Sequence, residues 1–211
     1  MVRIESWEEG ADGVARAKTP GGSLFRLRAA YWDGALAALE LSAPAGESLA
    51  AGIELPAEAL ELAAEAFEAE CRAAALLARA EQTRRGLEIK LAKRELSAPA
   101  AAMALDWLAG RGLQSDLRFA QAWIRQRARH RAEGPRTLLA GLASRGVERE
   151  AVRLALAEAL SGEARLVMAG TALELLEKKE RDEGRVRDAF LSLGWKPSDL
   201  REALDSRRID G

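Results

Sequence analysis

The strongest constraint on this chain is a spacing of apolar residues that occurs three times. Leu87, Leu91, Leu96 and Leu105 are separated by gaps of four, five and nine residues. Leu138, Leu142, Val147 and Leu156 have the same gaps, and so do Val186, Phe190, Trp195 and Leu204. The copies are offset by 51 and 48 residues, which makes three tandem units of about fifty. A gap of four keeps two side chains on one face of an α-helix. A gap of five spans a helix end. In Arg145-Gly146-Val147 and Leu193-Gly194-Trp195 a glycine stands at the C′ position, where a left-handed backbone costs little, and an apolar residue follows it. The first copy has Glu95 at that place, so its turn is either strained by a modest amount or capped another way.

A polar residue then opens the next helix: Ser97, Glu148 and Ser198 in the three copies, with Pro99 and Pro197 close by in the first and third. Each unit begins with its own helix, at about residues 68–81, 115–131 and 163–180, giving three helices per unit. Alanine (45) and leucine (32) together exceed a third of the 211 residues, which agrees with a mostly helical chain. From Pro56 onward the pattern is helical, and Leu60, Phe67, Cys71 and Ala74 are expected on one buried face. The start differs. Val2–Glu5, Val14–Lys18 and Phe25–Ala29 alternate, with turn residues at 10–13 and 19–22, which predicts a three-stranded meander. Residues 31–55 are ambiguous, with breaks at Asp33-Gly34 and from Pro44 to Gly46 and a possible short helix from Ala35 to Leu41. The expected organisation is an acidic segment with short strands (1–55), a helical linker with the first repeat (56–112), a second repeat (113–161) and a third (162–211).

Charge divides the chain in a different way. The formal net charge is -1, but residues 1–71 carry -8 and residues 72–136 carry +8, leaving -1 for the rest. Such a basic middle calls for an anionic partner or for contact with the acidic start. On the helix at 115–131, Arg118, Arg125 and Arg129 fall within about 40° of one another at 100° per residue. Phe119 and Trp123 lie on a different face, a core position by the same geometry. Arg136 opens the following helix. Arg84, Arg85 and Lys93 form a second basic group on the middle helix of the first unit. Guanidinium groups pair with carboxylates and with phosphates, so this pattern alone admits an acidic protein groove or a nucleic-acid backbone.

Catalytic chemistry has little to build on. His130 is the only histidine and sits among arginines; Gly21-Gly22-Ser23 lacks the lysine of a phosphate loop; Glu8-Glu9 and Glu148/Glu150 stand in surface-like stretches. Cys71 is the only cysteine, which excludes an intramolecular disulfide. No run approaches eighteen apolar residues and the start has no signal-peptide order, so a cytoplasmic protein with no membrane contact is expected. No catalytic residue, metal or cofactor is expected.

The residues Ser115-Asp116-Leu117-Arg118-Phe119-Ala120-Gln121-Ala122-Trp123, Gly134-Pro135-Arg136 and Leu142-Ala143-Ser144-Arg145-Gly146-Val147 resemble the RecX family, bacterial regulators of the RecA recombinase. The first unit is similar through Ala75 to Glu81 and Thr83-Arg84-Arg85, the third through Lys178-Lys179 and the Gly194-Trp195 turn. The resemblance spans about residues 56–207. It implies a mostly α fold, three tandem three-helix repeats in an elongated curved array, here after a small segment containing a β-meander. It also implies a non-enzymatic regulator that binds RecA and its nucleoprotein filament and modulates recombinase, ATPase and SOS co-protease activity, with inhibition the expected direction. The expected contact residues are Arg118, Arg125, Arg129 and Arg136, then Arg84, Arg85 and Lys93. A weak direct contact with DNA phosphate and a monomeric state are further expectations. Two other classes fit the residues: a direct nucleic-acid-binding helical-repeat protein, and a helical adapter for a different protein partner.

Overall fold

The computed structural model describes residues 1–42 and 49–209; the break expected from Pro44 to Gly46 lies outside the described residues. The described chain is mostly helical, with small antiparallel strands at its start. It divides into two compact units, one of Met1–Gln82 with Gly86–Gln114, the other of Thr83–Arg85 with Ser115–Gly211.

In the first unit, the meander is built from β2 (Ser6–Glu9), β3 (Val14–Lys18) and β4 (Leu24–Arg28) in the order β2-β3-β4. Its register pairs Ser6 with Lys18 and Val14 with Arg28. Alternation puts Ala15 and Ala17 fully inside while Arg16 and Lys18 stay exposed, as a half-buried strand requires. The leading strand is not Val2–Glu5. Val2–Arg3 (β1) instead pairs antiparallel with Glu54–Leu55 (β5), and Ile4, fully buried, carries the chain on into the meander. A short helix, α1 (Trp32–Ala38), follows a 3-10 turn and buries Trp32, Ala35 and Leu36.

Helix α2 (Ala57–Leu77) starts directly after Pro56 and runs unbroken for 21 residues, so the first copy's leading helix begins well before position 68. It packs against β4 and α1, and against α4 (Ala98–Gly110), which follows α3 (Arg84–Ala92). Cys71 corrects the expected face: it is exposed. The buried side chains of α2, from Ala59 through Ala73, sweep an arc whose middle is about 110° from Cys71. Phe67, at the edge of that arc, is a poor guide to its centre. Glu70 lies near the middle of that arc and points inward to meet Arg28 of β4. Arg28 donates to Glu70 through Nε (2.8 Å) and Nη2, and through Nη1 to the Asp12 carbonyl (2.7 Å). Tyr31 Oη donates to Glu70 Oε2 (2.7 Å). The Arg28 guanidinium also lies 4.5 Å from the Trp107 ring centroid.

The second unit contains α5 (Asp116–His130), α6 (Pro135–Ala143), α7 (Arg149–Ala159), α8 (Gly162–Glu177), α9 (Glu183–Ser192) and α10 (Pro197–Ile209). One apolar core runs through these six helices, including Ile124, Leu138, Leu142, Leu173 and Phe190. Phe190 stacks on Trp195 with ring centroids 5.1 Å apart.

The repeated turn is left-handed in all three copies. The backbone is left-handed at Glu95 (φ 62°), Gly146 (φ 67°) and Gly194 (φ 94°). In the first two, Leu96 N donates to Leu91 O and Val147 N to Leu142 O, each at 3.3 Å. Glu95 N and Gly146 N donate to the carbonyls three residues back, at 3.0 Å, which completes a Schellman closure. Glu95 therefore keeps the left-handed turn, with its side chain exposed to solvent. One backbone N–H after the turn, at equivalent positions, meets a carboxylate each time. Ser97 N donates to Glu65 (2.6 Å), Glu148 N to Asp116 (3.0 Å) and Lys196 N to Asp199 (2.8 Å). Ser97 caps α4 as expected, its Oγ accepting from Ala100 N. Ser198 does not cap α10, because that helix has already begun at Pro197; Asp199 reaches back to Lys196 and takes the part.

Candidate partner-binding surface

Helix α5 is placed by its first turn. Ser115 Oγ accepts from Arg118 N (3.2 Å), an N-cap. Asp116 then serves two other helix starts at once. Its Oδ1 accepts from Arg84 N (2.8 Å), and its Oδ2 from Glu148 N. A short acidic side chain thus ties the beginnings of α3, α5 and α7 together inside the second unit. Thr83 Oγ1 donates to the Arg145 carbonyl (3.3 Å), and a Cβ at Gly146 would come within 2.7 Å of Arg85 Cγ.

The same joint occurs one copy further on. Thr137 Oγ1 donates to the Leu193 carbonyl (2.7 Å), Gly134 N to the same oxygen (2.8 Å), and Trp195 Nε1 to the Ala132 carbonyl (2.9 Å). A Cβ at Gly194 would meet Thr137 N at 2.7 Å, and one at Gly134 would meet Trp195 N at 2.6 Å. The turn of one copy seats on the start of the preceding copy's middle helix, and glycine makes the approach possible. Sequence reading identified the glycines but missed Asp116, Thr83 and Thr137, whose partners lie 32 to 62 residues away.

With α5 fixed, its faces sort by charge. Ala120, Trp123 and Ile124 are buried, and Phe119 packs beside that core. Arg127 is structural: it donates to Glu133 (2.8 Å), and its guanidinium lies 4.8 Å from the Trp123 ring centroid. Arg145 stands over the same ring at 4.9 Å and donates to the Gly141 carbonyl. These two cations serve the core. Arg125 and Arg129, one turn apart on the outer face of α5, and Arg136 in the first turn of α6 are exposed. Among the described residues none of the three has an ion-pair or side-chain hydrogen-bond partner. Part of this clustering has a local cause, since cations in the last turn of α5 face the negative end of its helix dipole. That cause does not reach Arg136.

The remaining candidates separate. Arg118 is half-buried on α5, so the row of three arginines is exposed only in its last two members. Arg84 (half-buried) and Arg85 (exposed) belong to the second unit, beside Asp116 and Gly146; Lys93 is exposed in the first unit. Behind Arg125 and Arg129 runs a groove between α5 and α8, floored by Ile124, Ala128, Ala164 and Met168. Among the described residues no group of three or more His, Cys, Asp or Glu side chains could hold a metal ion, and no helix is long and apolar enough to cross a membrane.

The model of a known family, described as "RecX, second three-helix domain", matches residues 115–156, which span α5, α6 and most of α7. The regulatory protein RecX of Xanthomonas campestris pv. campestris (strain B100) is 35% identical over 140 residues, covering 66% of this chain and 79% of that protein. The chain belongs to the RecX family. Other regulatory proteins RecX align over shorter stretches. That of Chromohalobacter salexigens is 44% identical over 92 residues, 44% of this chain and 57% of the relative. That of Xanthomonas oryzae pv. oryzae (strain MAFF 311018) is 42% identical over 86 residues, 41% of this chain and 53% of the relative. In alignments of this second kind the chain spans about half the length of the curated relatives it matches. A crystal structure of a regulatory protein RecX superposes with a TM-score of 0.66 at 19% identity, covering 97% of this chain and 100% of the other. RecX from Lactobacillus salivarius gives 0.58 at 15% identity, covering 69% and 97%. These two establish the RecX fold, the first over nearly the whole chain.

Proposed function

We propose that this RecX-family chain is a non-enzymatic cytoplasmic regulator that binds RecA and its nucleoprotein filament and restrains filament activity. The observation that carries the reading is the set of three exposed arginines, Arg125, Arg129 and Arg136, whose side chains have no ion-pair or hydrogen-bond partner among the described residues, on the helices that the family model matches. A solvated face needs no single sign of charge. An excess of cations held outward on rigid helices suits an anionic assembly, and a recombinase filament on DNA offers both carboxylates and phosphates. Arg118, Arg84 and Arg85 extend the proposed contact within the second unit, and Lys93 of the first unit is a further proposed contact residue. Several modest contacts carried by one chain, engaging neighbouring protomers, add through effective concentration. The protein acts as a monomer, and any direct phosphate contact supports the protein contact.

The test is RecA ATP hydrolysis on single-stranded DNA, titrated with the chain. The triple variant Arg125→Glu, Arg129→Glu, Arg136→Glu should need at least about tenfold more protein for the same effect, with its far-ultraviolet circular dichroism unchanged. Equal potency of the triple variant and the parent would refute the assignment.

A further inference from the structure

We infer that the groove between α5 and α8 receives an apolar protein helix carrying two acidic side chains one turn apart, so that the Arg125/Arg129 pair reads carboxylates rather than phosphates. The inference rests on the proposed regulatory role and deepens it by naming the chemistry of the partner segment.

The groove has two kinds of wall. Its floor is apolar and largely of small side chains, Ala128, Ala159 and Ala164, with Ile124 and Met168 beneath. One rim, on α8, presents Val167, which is 61% exposed although it stands beside the buried Met168 and Ala169. The other rim, on α5, presents Arg125 and Arg129. Neither has an ion-pair partner among the described residues, even though Glu163 lines the same groove. Residues four apart on a helix are about 5–6 Å apart at Cβ, so the matching anions must have a similar spacing. Successive phosphates of a nucleic-acid strand meet that requirement, and so do glutamates at i and i+4 of a helix. The floor decides between them. A phosphodiester backbone gains nothing from an exposed valine and a strip of alanines, whereas an apolar helix face recovers that surface from water and, over small side chains, approaches closely. Glu163 works in the same direction: across the groove from the arginines it favours a neutral or cationic far edge on the occupant and repels a second row of anions.

The probe is a synthetic helical peptide of eighteen residues with leucines along one face and a glutamate pair at i and i+4 beside them. It is titrated into the full chain and followed by amide chemical shifts, with a glutamine version as control. Saturable shifts at Val167, Met168, Ala128 and Arg129 are expected. Affinity should fall at least tenfold for the glutamine peptide, for Val167→Asp and for Arg125→Glu with Arg129→Glu. Val167 is exposed, so its variant should keep the parent's thermal midpoint. In parallel, a labelled oligonucleotide should bind Val167→Asp as it binds the parent. Absent shifts in the groove, equal affinity for the two peptides, or an oligonucleotide that displaces the peptide and loses affinity with Val167→Asp would each overturn the inference. RecA co-sedimentation reports on the regulatory reading separately: a groove that takes the peptide while the chain ignores RecA filaments would sink that reading and leave this one standing.

Discussion

Glu70 shows how much one side chain can decide. It is 8% exposed, in the middle of a 21-residue helix, and is kept there by Arg28 and the Tyr31 hydroxyl. The hydrogen bonds it donates to Glu70 hold the Arg28 guanidinium firmly protonated, its pKa raised against the cost of burial. Burial, followed by the Glu70 contact, pushes the Tyr31 phenol well above its ordinary range, so it stays a donor at any ordinary pH. Removing one member leaves a buried charge without its partner, so Glu70→Ala should cost about 3–5 kcal/mol in urea unfolding of the full chain. Replacing Arg28 and Glu70 together by Met and Leu should cost much less. None of this could be read in the sequence, where Glu70 is one acid among many in an acidic stretch. The nearby Cys71 looked apolar by spacing and is exposed, because the buried face of α2 is centred on alanines and Glu70 and not on the row through Phe67 and Cys71.

Among elements, the turns after the middle helices were legible because glycine at C′ followed by an apolar residue has few other uses. Their seats were not, since the partners are distant in the chain. The two glycine turns differ in what blocks a side chain. A Cβ at Gly194 would press on the backbone of Thr137, and one at Gly146 on Cβ and Cγ at the root of the Arg85 side chain. Gly146→Ala and Gly194→Ala should each cost the left-handed penalty of about 1–2 kcal/mol and about 1–3 kcal/mol more for the clash, measured by chemical unfolding. Glu95→Gly should stabilise by up to about 1 kcal/mol. Asp199 gives α10 a pH dependence. Burial raises its carboxyl pKa, but the Arg165 hydrogen bond and the Lys196 N–H outweigh it and hold it below the usual carboxylate value. Its stabilisation is complete above about pH 4, the value of the unfolded chain, and is lost as pH falls through the lower folded value. Asp199→Asn should flatten the fall in thermal midpoint over that acid range.

At the level of the molecule, the charge division and the helical spacing are both legible in the sequence, while the pairing of Val2–Arg3 with Glu54–Leu55 is hidden by its brevity. The basic middle makes a salt prediction. If exposed arginines engage the filament, affinity for RecA should drop several-fold between 50 and 300 mM salt, and the Arg125, Arg129, Arg136 reversal variant should show a flatter dependence, read by co-sedimentation. The turn at Glu95 has a consequence of its own. Where the later copies have a bare Cα that slides against a neighbour, this one holds a carboxylate outward. The first copy's turn therefore needs no seat on an earlier copy: the N–H that follows it is met by Glu65 of α2 at 2.6 Å.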